Sequence, residues 1–389
     1  MTRPATPRVR IWVVAREWAR IGCIGFGGPP AHIALLRKLC VERRGWLSDR
    51  EFEDGIAATN LLPGPASTQL AIYCAWRLRG RLGGLVGGFC FIAPGLVVIL
   101  GLAALFLGPH PPLWVQGAAA GAGAAVPVVA VGAATALMPA GWRRTGLARA
   151  PRARWVTYLV LGGVSAATIG PWLVLVIAGS GLVEVAAQTR GRSTPPRLAS
   201  APALLAHAAT VGGLGALVWV AFKVGALSYG GGFVIVPLMQ HDAVITYHWM
   251  TGGQFLGAVA LGQITPGPVV LTVAVVGYAV AGVGGGLVAS LVAFAPSFAF
   301  VLIGAPHFDR LRADTGVQRF LTGAGAAAIG AIAGSAVSLG LELQHLWQVG
   351  VLALAAAWLL GLRRGVVSTL VAAGLIGLAA AFAGVPVGM

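Results

Sequence analysis

Charge is what this sequence has least of: only 10% of its 389 residues are Asp, Glu, Lys or Arg, against about a quarter in a soluble domain. Residues 82–142 contain none of the four, and neither do residues 243–308. Each run is long enough for at least two crossings at about 20 residues per helix. That excludes a soluble globular fold and leads to an all-α polytopic membrane protein, in line with 57% hydrophobic residues and a mean hydropathy of +0.84.

Acidic residues are scarcer still, 11 against 27 Lys and Arg, for a formal net charge of +16. In a soluble chain that excess would raise the question of nucleic acid. Here the basic residues cluster between apolar segments, as cytoplasmic loops do, and no nucleic-acid partner is read from them. The four cysteines, Cys23, Cys40, Cys74 and Cys90, fall in one half without metal-ligand or CxxC spacing, and are read as packing residues. Arg16, Glu17 and Arg20 interrupt the apolar stretch behind the basic amino terminus, so no removable signal peptide is expected. Walker A, HExxH, aspartate-rich prenyl-phosphate and flavin signatures are missing too. Neither an enzyme nor a cofactor is expected, and energy must come from a gradient.

What is present is an internal repeat. At an offset of 203 residues, Phe26-Gly27-Gly28 falls on Tyr229-Gly230-Gly231, Arg20 on Lys223, Trp46 on Trp249, Phe52 on Phe255, and Pro63-Gly64-Pro65 on Pro266-Gly267-Pro268. At 202 the match continues, with Gly80 on Gly282 and Pro94 on Pro296. The charges of the halves disagree. Arg37, Lys38, Arg43, Arg44 and Arg50, then Arg77, Arg79 and Arg81, have no basic counterparts, whereas Arg310, Arg312 and Arg319 answer an uncharged stretch. Basic loops mark the cytoplasm, so the halves, 1–190 and 198–389, are expected to be inverted-topology repeats rocking about a central site.

Residues 55–76 lie between two basic loops, yet are too short to cross twice. With Pro63-Gly64-Pro65 at its centre, the stretch reads as a re-entrant hairpin of two half-helices. Gly27, Gly28, Pro29 and Pro30 are expected to make a similar break, and the segments at Tyr229–Gly232 and Pro266–Pro268 to enter from outside. Ordinary spans are expected at 82–107, 114–139, 286–305, 320–341, 345–362 and 366–386, with two short helices within 155–188, a linker at 188–197 and an extra crossing near 200–220.

Half-helices that start near the midplane direct free N–H groups and positive dipole ends there, which suits an anion. Pro65 and Pro268 fit first-turn positions, and Ser67, Thr68 and Thr265 offer hydroxyls at that level. The alternative is that these prolines only kink packed helices. Arg20 and Lys223 stand at equivalent places in apolar surroundings, either to balance a divalent anion or to snorkel. Asn60 and Gln263 each precede a Pro-Gly-Pro by three residues, where an amide bonds an oxyanion or fixes the bend. Gln69 and His32 are further candidates. Glu53, Asp54 and His32 are candidate proton carriers, the two carboxylates having as their alternative a wetted place beside the arginines. Glu184, His207 and Glu342 are placed near span ends.

The segments FGGPPAHIALL, ERRGWLSDREFEDGIAATNLLPGPASTQLA and GGLVGGFCFIAPG resemble the first domain of the chromate ion transporter family, and the segment from SYGGGFVIVPLM to ITPGPVVLTVAVVGYAVAG resembles the second. The resemblance covers roughly 11–135 and 215–340, in the order of the long two-domain form. It implies chromate export across the cytoplasmic (inner) membrane, conferring chromate resistance, with the proton motive force as driver. By position it singles out Phe26, Gly27, Gly28, Pro29, Pro63, Gly64, Pro65, Gln69, Tyr229, Gly230, Gly231, Pro266, Gly267 and Pro268. The sequence departs from the pattern at Ala66, and the halves differ where one has Pro29 and the other Gly232. Sulfate is equally a tetrahedral dianion, so a sulfate or general oxyanion carrier is the near alternative. A membrane-embedded chromate reductase is the alternative from another class. One pathway per chain is expected, which leaves room for a homodimer among the lipids.

Overall fold

The computed structural model describes residues 9–60, 62–146, 148–168, 173–189, 213–228 and 233–387. Among them there is no strand. The first repeat runs through α1 (Ile11–Ile24), α2 (Pro29–Arg37), α3 (Asp49–Thr59), α4 (Ala66–Phe106), α5 (Leu113–Arg144), α6 (Arg149–Thr168) and α7 (Leu173–Thr189). The second runs through α8 (Leu214–Leu227), α9 (Ile235–Gln240), α10 (Gly252–Ile264), α11 (Thr272–Gly304), α12 (Phe308–Ala313), α13 (Thr315–Leu341), α14 (Leu346–Ala356) and α15 (Val366–Phe382). Gln188 and Thr189 of the expected linker 188–197 still belong to α7, and its residues 190–197, residues 200–212 of the extra crossing, and Tyr229, Gly230, Gly231 and Gly232 lie outside the described residues.

The repeat seen in the sequence is a repeat of backbone detail. Both α2 and α9 end in a widened π turn, Lys38–Arg43 and His241–Thr246, closed by Trp46 N–H donating to the Cys40 carbonyl at 2.7 Å and Trp249 N–H to that of Ala243 at 2.8 Å. Both α3 and α10 start on a capping box, Ser48 with Glu51 and Thr251 with Gln254, which satisfies otherwise orphaned N–H groups.

The chain then reverses inside α4 and α11. Arg79 and Gly80 leave helical geometry with φ of −144° and 62°, and Ala281 and Gly282 do so with φ of −150° and 58°. A positive φ is nearly free for glycine and costly for other residues. Each second limb packs back on the first, Gly84 against Trp76 and Ile72, Gly286 against Ala274. The stretch 55–76 is therefore a hairpin that enters as α3, breaks at Pro63-Gly64-Pro65 and leaves along the first limb of α4. The expected spans correspond to the second limbs of α4 and α11 and to α5, α13, α14 and α15. Helix α5 extends further toward its basic end than expected, to Arg144. Helices α6 and α7 are the two short helices, and residues 169–172 between them lie outside the described residues.

Helices α4 and α11 pack on each other at the centre, with α1 against α4 and α8 against α11. Outside them, α13 packs on α6 and α7, and α5 on α14 and α15. Small residues set these outer crossings: Gly330 and Gly334 lie on the backbone of Leu159 and Gly163, Gly117 and Gly121 on that of Ala373 and Gly377. Lipid tails are as apolar as leucine, so close backbone approach supplies the cohesion that water supplies in soluble folds. The result is an all-α polytopic protein of two inverted-topology repeats with broken helices.

Candidate functional site

Each Pro-Gly-Pro break is bonded to the break of the other repeat. Gly64 N–H donates to the Ser228 carbonyl at 2.6 Å, and Gly267 N–H donates to the Gly25 carbonyl at 3.0 Å. These bonds are images of each other, since Gly64 and Gly267, and Gly25 and Ser228, are repeat equivalents. Both glycines have positive φ, 125° and 107°. Pro65 and Pro268 stand as the N-caps immediately before α4 and before the short 3-10 turn that leads into α11, and Pro63 and Pro266 complete the breaks.

His32, fully buried, strengthens the first break. Its Nε2 lies 2.9 Å from the Gly25 carbonyl and its Nδ1 3.2 Å from Ser67 Oγ. A carbonyl only accepts, so Nε2 carries the proton; in a neutral ring Nδ1 then accepts from the Ser67 hydroxyl. Gln69 Nε2 donates to the Pro63 carbonyl at 2.7 Å. Thr265 turns its hydroxyl to the Leu261 carbonyl at 2.7 Å. Thr68 is buried, and its Oγ1 has no partner among the described residues.

Beside the joined breaks lies a cavity of about 560 Å³. Gly27, Gly28, Asn60 and Gln263 line it, with Ala66 and Val269, the residues that follow the two Pro-Gly-Pro segments. The sequence placed these four together, and they open on one space. Gln263 is 7% exposed, and its Nε2 is buried behind the cavity surface with no partner among the described residues. A second cavity, of about 150 Å³, shares Asn60, Ala66 and Leu137 with the first and adds Gly64 and Arg144. Among the described residues no carboxylate lines either one. Together they offer an amide pair and backbone at the starts of half-helices, a set of donors suited to an anion.

Other candidates stand elsewhere. Ser67, Thr68, Gln69, His32 and Thr265 line neither cavity, and of these His32, Ser67 and Gln69 are bonded at the first break. Arg20 lies on the exposed face of α1. Lys223 Nζ lies 2.6 Å from Asp242 Oδ2 and 5.7 Å from the Trp219 ring centroid. Glu53 is exposed and pairs with Arg37, while Asp54 is half-buried on α3. Glu184 is held by Arg154 at 2.8 Å and by the Tyr158 hydroxyl at 3.1 Å, and Glu342 accepts from Gln240 Nε2 at 3.1 Å. His207, Gly230 and Gly231 fall outside the described residues. Sequence reasoning passed over Asp242, although it is the only acidic residue between Glu184 and Asp309 and so the natural partner of an isolated lysine. It also passed over Arg363, which lines the larger cavity.

Broken helices meeting beside a cavity at the interface of inverted repeats define a multi-pass transporter of the cytoplasmic membrane. The chain belongs to the chromate transporter family, whose pattern matches residues 12–185 and 215–378. It is 34% identical over 333 residues to the chromate transport protein of Cupriavidus metallidurans, covering 82% of this chain and 80% of that one. It is 30% identical over 375 residues to the probable chromate transport protein of Synechococcus elongatus, covering 91% and 92% respectively. An uncharacterized transporter of Methanocaldococcus jannaschii is 26% identical over 320 residues, or 77% of each chain. No solved structure matches.

Proposed function

We propose that the chain exports chromate from the cell, with the dianion bound in the larger cavity and an ion gradient, protons being the expected coupling ion, driving its release. The observation that carries this reading is the convergence of Gly27, Gly28, Asn60, Gln263 and the residues after both Pro-Gly-Pro segments, Ala66 and Val269, on one cavity with no carboxylate among its described lining residues, in a member of this family. A buried amide N–H without a partner costs roughly 1–3 kcal/mol, and an oxyanion acceptor would relieve that cost at Gln263.

The bonds between the breaks support a moving boundary other than the one between the repeats. The repeats were expected to rock as units 1–190 and 198–389, but Gly64–Ser228 and Gly267–Gly25 join them at the breaks. We therefore draw the boundary between the joined core, α1–α4 with α8–α11, and the outer helices α5, α14 and α15, which form the far wall of the cavity. Sulfate satisfies the same donors, so the selectivity is to be measured. The experiment is chromate flux into sealed everted vesicles under an imposed proton gradient, with and without sulfate. Gradient-driven flux that resists excess sulfate supports the proposal; flux abolished by equimolar sulfate indicates a general oxyanion carrier; no flux under any gradient refutes it.

A further inference from the structure

The larger cavity has one charged side chain among the described residues that line it. Arg363, in the turn from α14 to α15, lines it with Leu359, Leu360 and Val366, while Asn60 and Gln263 belong to the core wall beside the breaks. Arg363 is exposed and makes no ion pair among the described residues. Its neighbour Arg364 is engaged, with its guanidinium 5.9 Å from the Trp358 ring centroid.

The backbone at Arg363 is itself unusual. Its φ is 52°, and among the described residues the only other non-glycine with positive φ is His248, at 51°. His248 stands where the first repeat has Gly45, with φ of 56°, so that turn is an inherited one. Arg363 closes a third turn of the same kind: after the π turn Ala357–Gly361, Leu362 N–H donates to the Ala357 carbonyl and Arg364 N–H to the Trp358 carbonyl, as Tyr247 and Trp249 do around His248. The sequence Gly361-Leu362-Arg363-Arg364-Gly365 has glycine on either side of the left-handed position and arginine at it, where a helix end ordinarily takes glycine. What is particular to this cap is the residue that fills it, an arginine in the lining of the cavity.

The turn is also on the side where the cargo starts. Leu359 packs on Gly132 of α5, in the half of α5 that runs to Arg143 and Arg144, and basic ends mark the cytoplasm. The wall that α5 contributes is Val129, Gly132, Ala133, Thr135, Ala136 and Leu137, all uncharged. A cation at the mouth of a cleft with low-dielectric walls focuses its field inward and raises the local concentration of anions.

We propose that Arg363 is the cytoplasmic collecting cation for the tetrahedral dianion, drawing it into the cavity before Asn60 and Gln263 take it. This rests on the transport reading above. It assigns to Arg363 the role expected of Arg20 and Lys223, which line neither cavity.

The test uses full-length protein in vesicles with the cytoplasmic face outward, and initial chromate flux against concentration at low and high ionic strength. Arg363→Gly removes the charge and relaxes the backbone, so it folds at least as stably as wild type. At low salt its KM for the cytoplasmic face rises about five- to tenfold with kcat retained, and the difference closes at high salt because exposed charges are screened. Arg363→Lys stays close to wild type, and Arg364→Gln is unchanged. The proposal is overturned if Arg363→Gly keeps the wild-type KM at low salt, or if Arg363→Lys is as impaired as Arg363→Gly, which would make the effect one of side-chain shape. A wild-type protein that moves neither chromate nor sulfate from either face removes the transport reading itself, and this inference with it.

Discussion

Gly64 and Ser228 are joined by a backbone hydrogen bond of 2.6 Å across the repeat boundary. The bond places the mid-membrane break of the first repeat under the control of the second, and its image, Gly267 to Gly25, does the reverse. Breaks in helices expose N–H and C=O groups that lipid cannot satisfy. Here each repeat supplies what the other lacks, which is why neither half is expected to fold alone.

The two break glycines are not equally demanding. A Cβ on Gly64 would meet Gln69 Nε2 and lie 2.9 Å from Ser297 Oγ, whereas one on Gly267 would make only ordinary contacts, 3.4 Å to Leu271 Cδ1 and 3.7 Å to Gly95 Cα. Both positions have positive φ. Gly267→Ala is expected to cost roughly 1–2 kcal/mol from strain alone, and Gly64→Ala roughly 2–4 kcal/mol. Thermal unfolding in detergent checks the order, and equal losses would refute it.

The Lys223–Asp242 pair is expected to support the fold. With side-chain exposures of 21% and 10%, Lys223→Gln leaves a carboxylate largely buried and unpaired, at a cost of up to about 3 kcal/mol, below the full figure for a buried pair because the lysine is partly solvated. The double change Lys223→Gln with Asp242→Asn is expected to recover most of that stability and retain chromate flux. A double variant that is stable but silent in transport would return Lys223 to the pathway.

Close crossings of the outer helices give a third expectation. Gly330 on α13 faces the Leu159 backbone with no room for a side chain. Gly330→Val is expected to separate α13 from α6 and lower the melting temperature by several degrees, while Gly350→Val, at a position with open space around it, leaves it unchanged. Equal melting of the two variants would contradict the packing.

Much of this was legible in the sequence, for identifiable reasons. The offset of Pro63-Gly64-Pro65 and Pro266-Gly267-Pro268 located both breaks, because proline and glycine are read directly as helix interruptions. Inversion was legible because basic loops report their side of the membrane. Asn60 and Gln263 were found by coincidence in the repeat. The reciprocal backbone bonds were not legible, since a carbonyl at Ser228 or Gly25 has no side-chain signature. The assignments of Ser67 and Gln69 were incomplete for the same reason: type and level in the membrane suggested donors for cargo, whereas His32 and the Pro63 carbonyl occupy them. Arg363 was hidden by an ordinary basic turn, its left-handed backbone being visible only in the structure.

The measurement closest to the central claim is chromate flux through purified protein in vesicles, comparing wild type with Gln263→Glu. The substitution nearly preserves size while replacing the unpartnered Nε2 donor by a negative charge in the cavity wall, where two like charges within about 4 Å repel by several kcal/mol at the effective dielectric of a protein. The account predicts a folded variant, melting within a few degrees of wild type, whose chromate flux falls at least a hundredfold. A folded Gln263→Glu protein carrying chromate at the wild-type rate would contradict it and place the anion's path elsewhere.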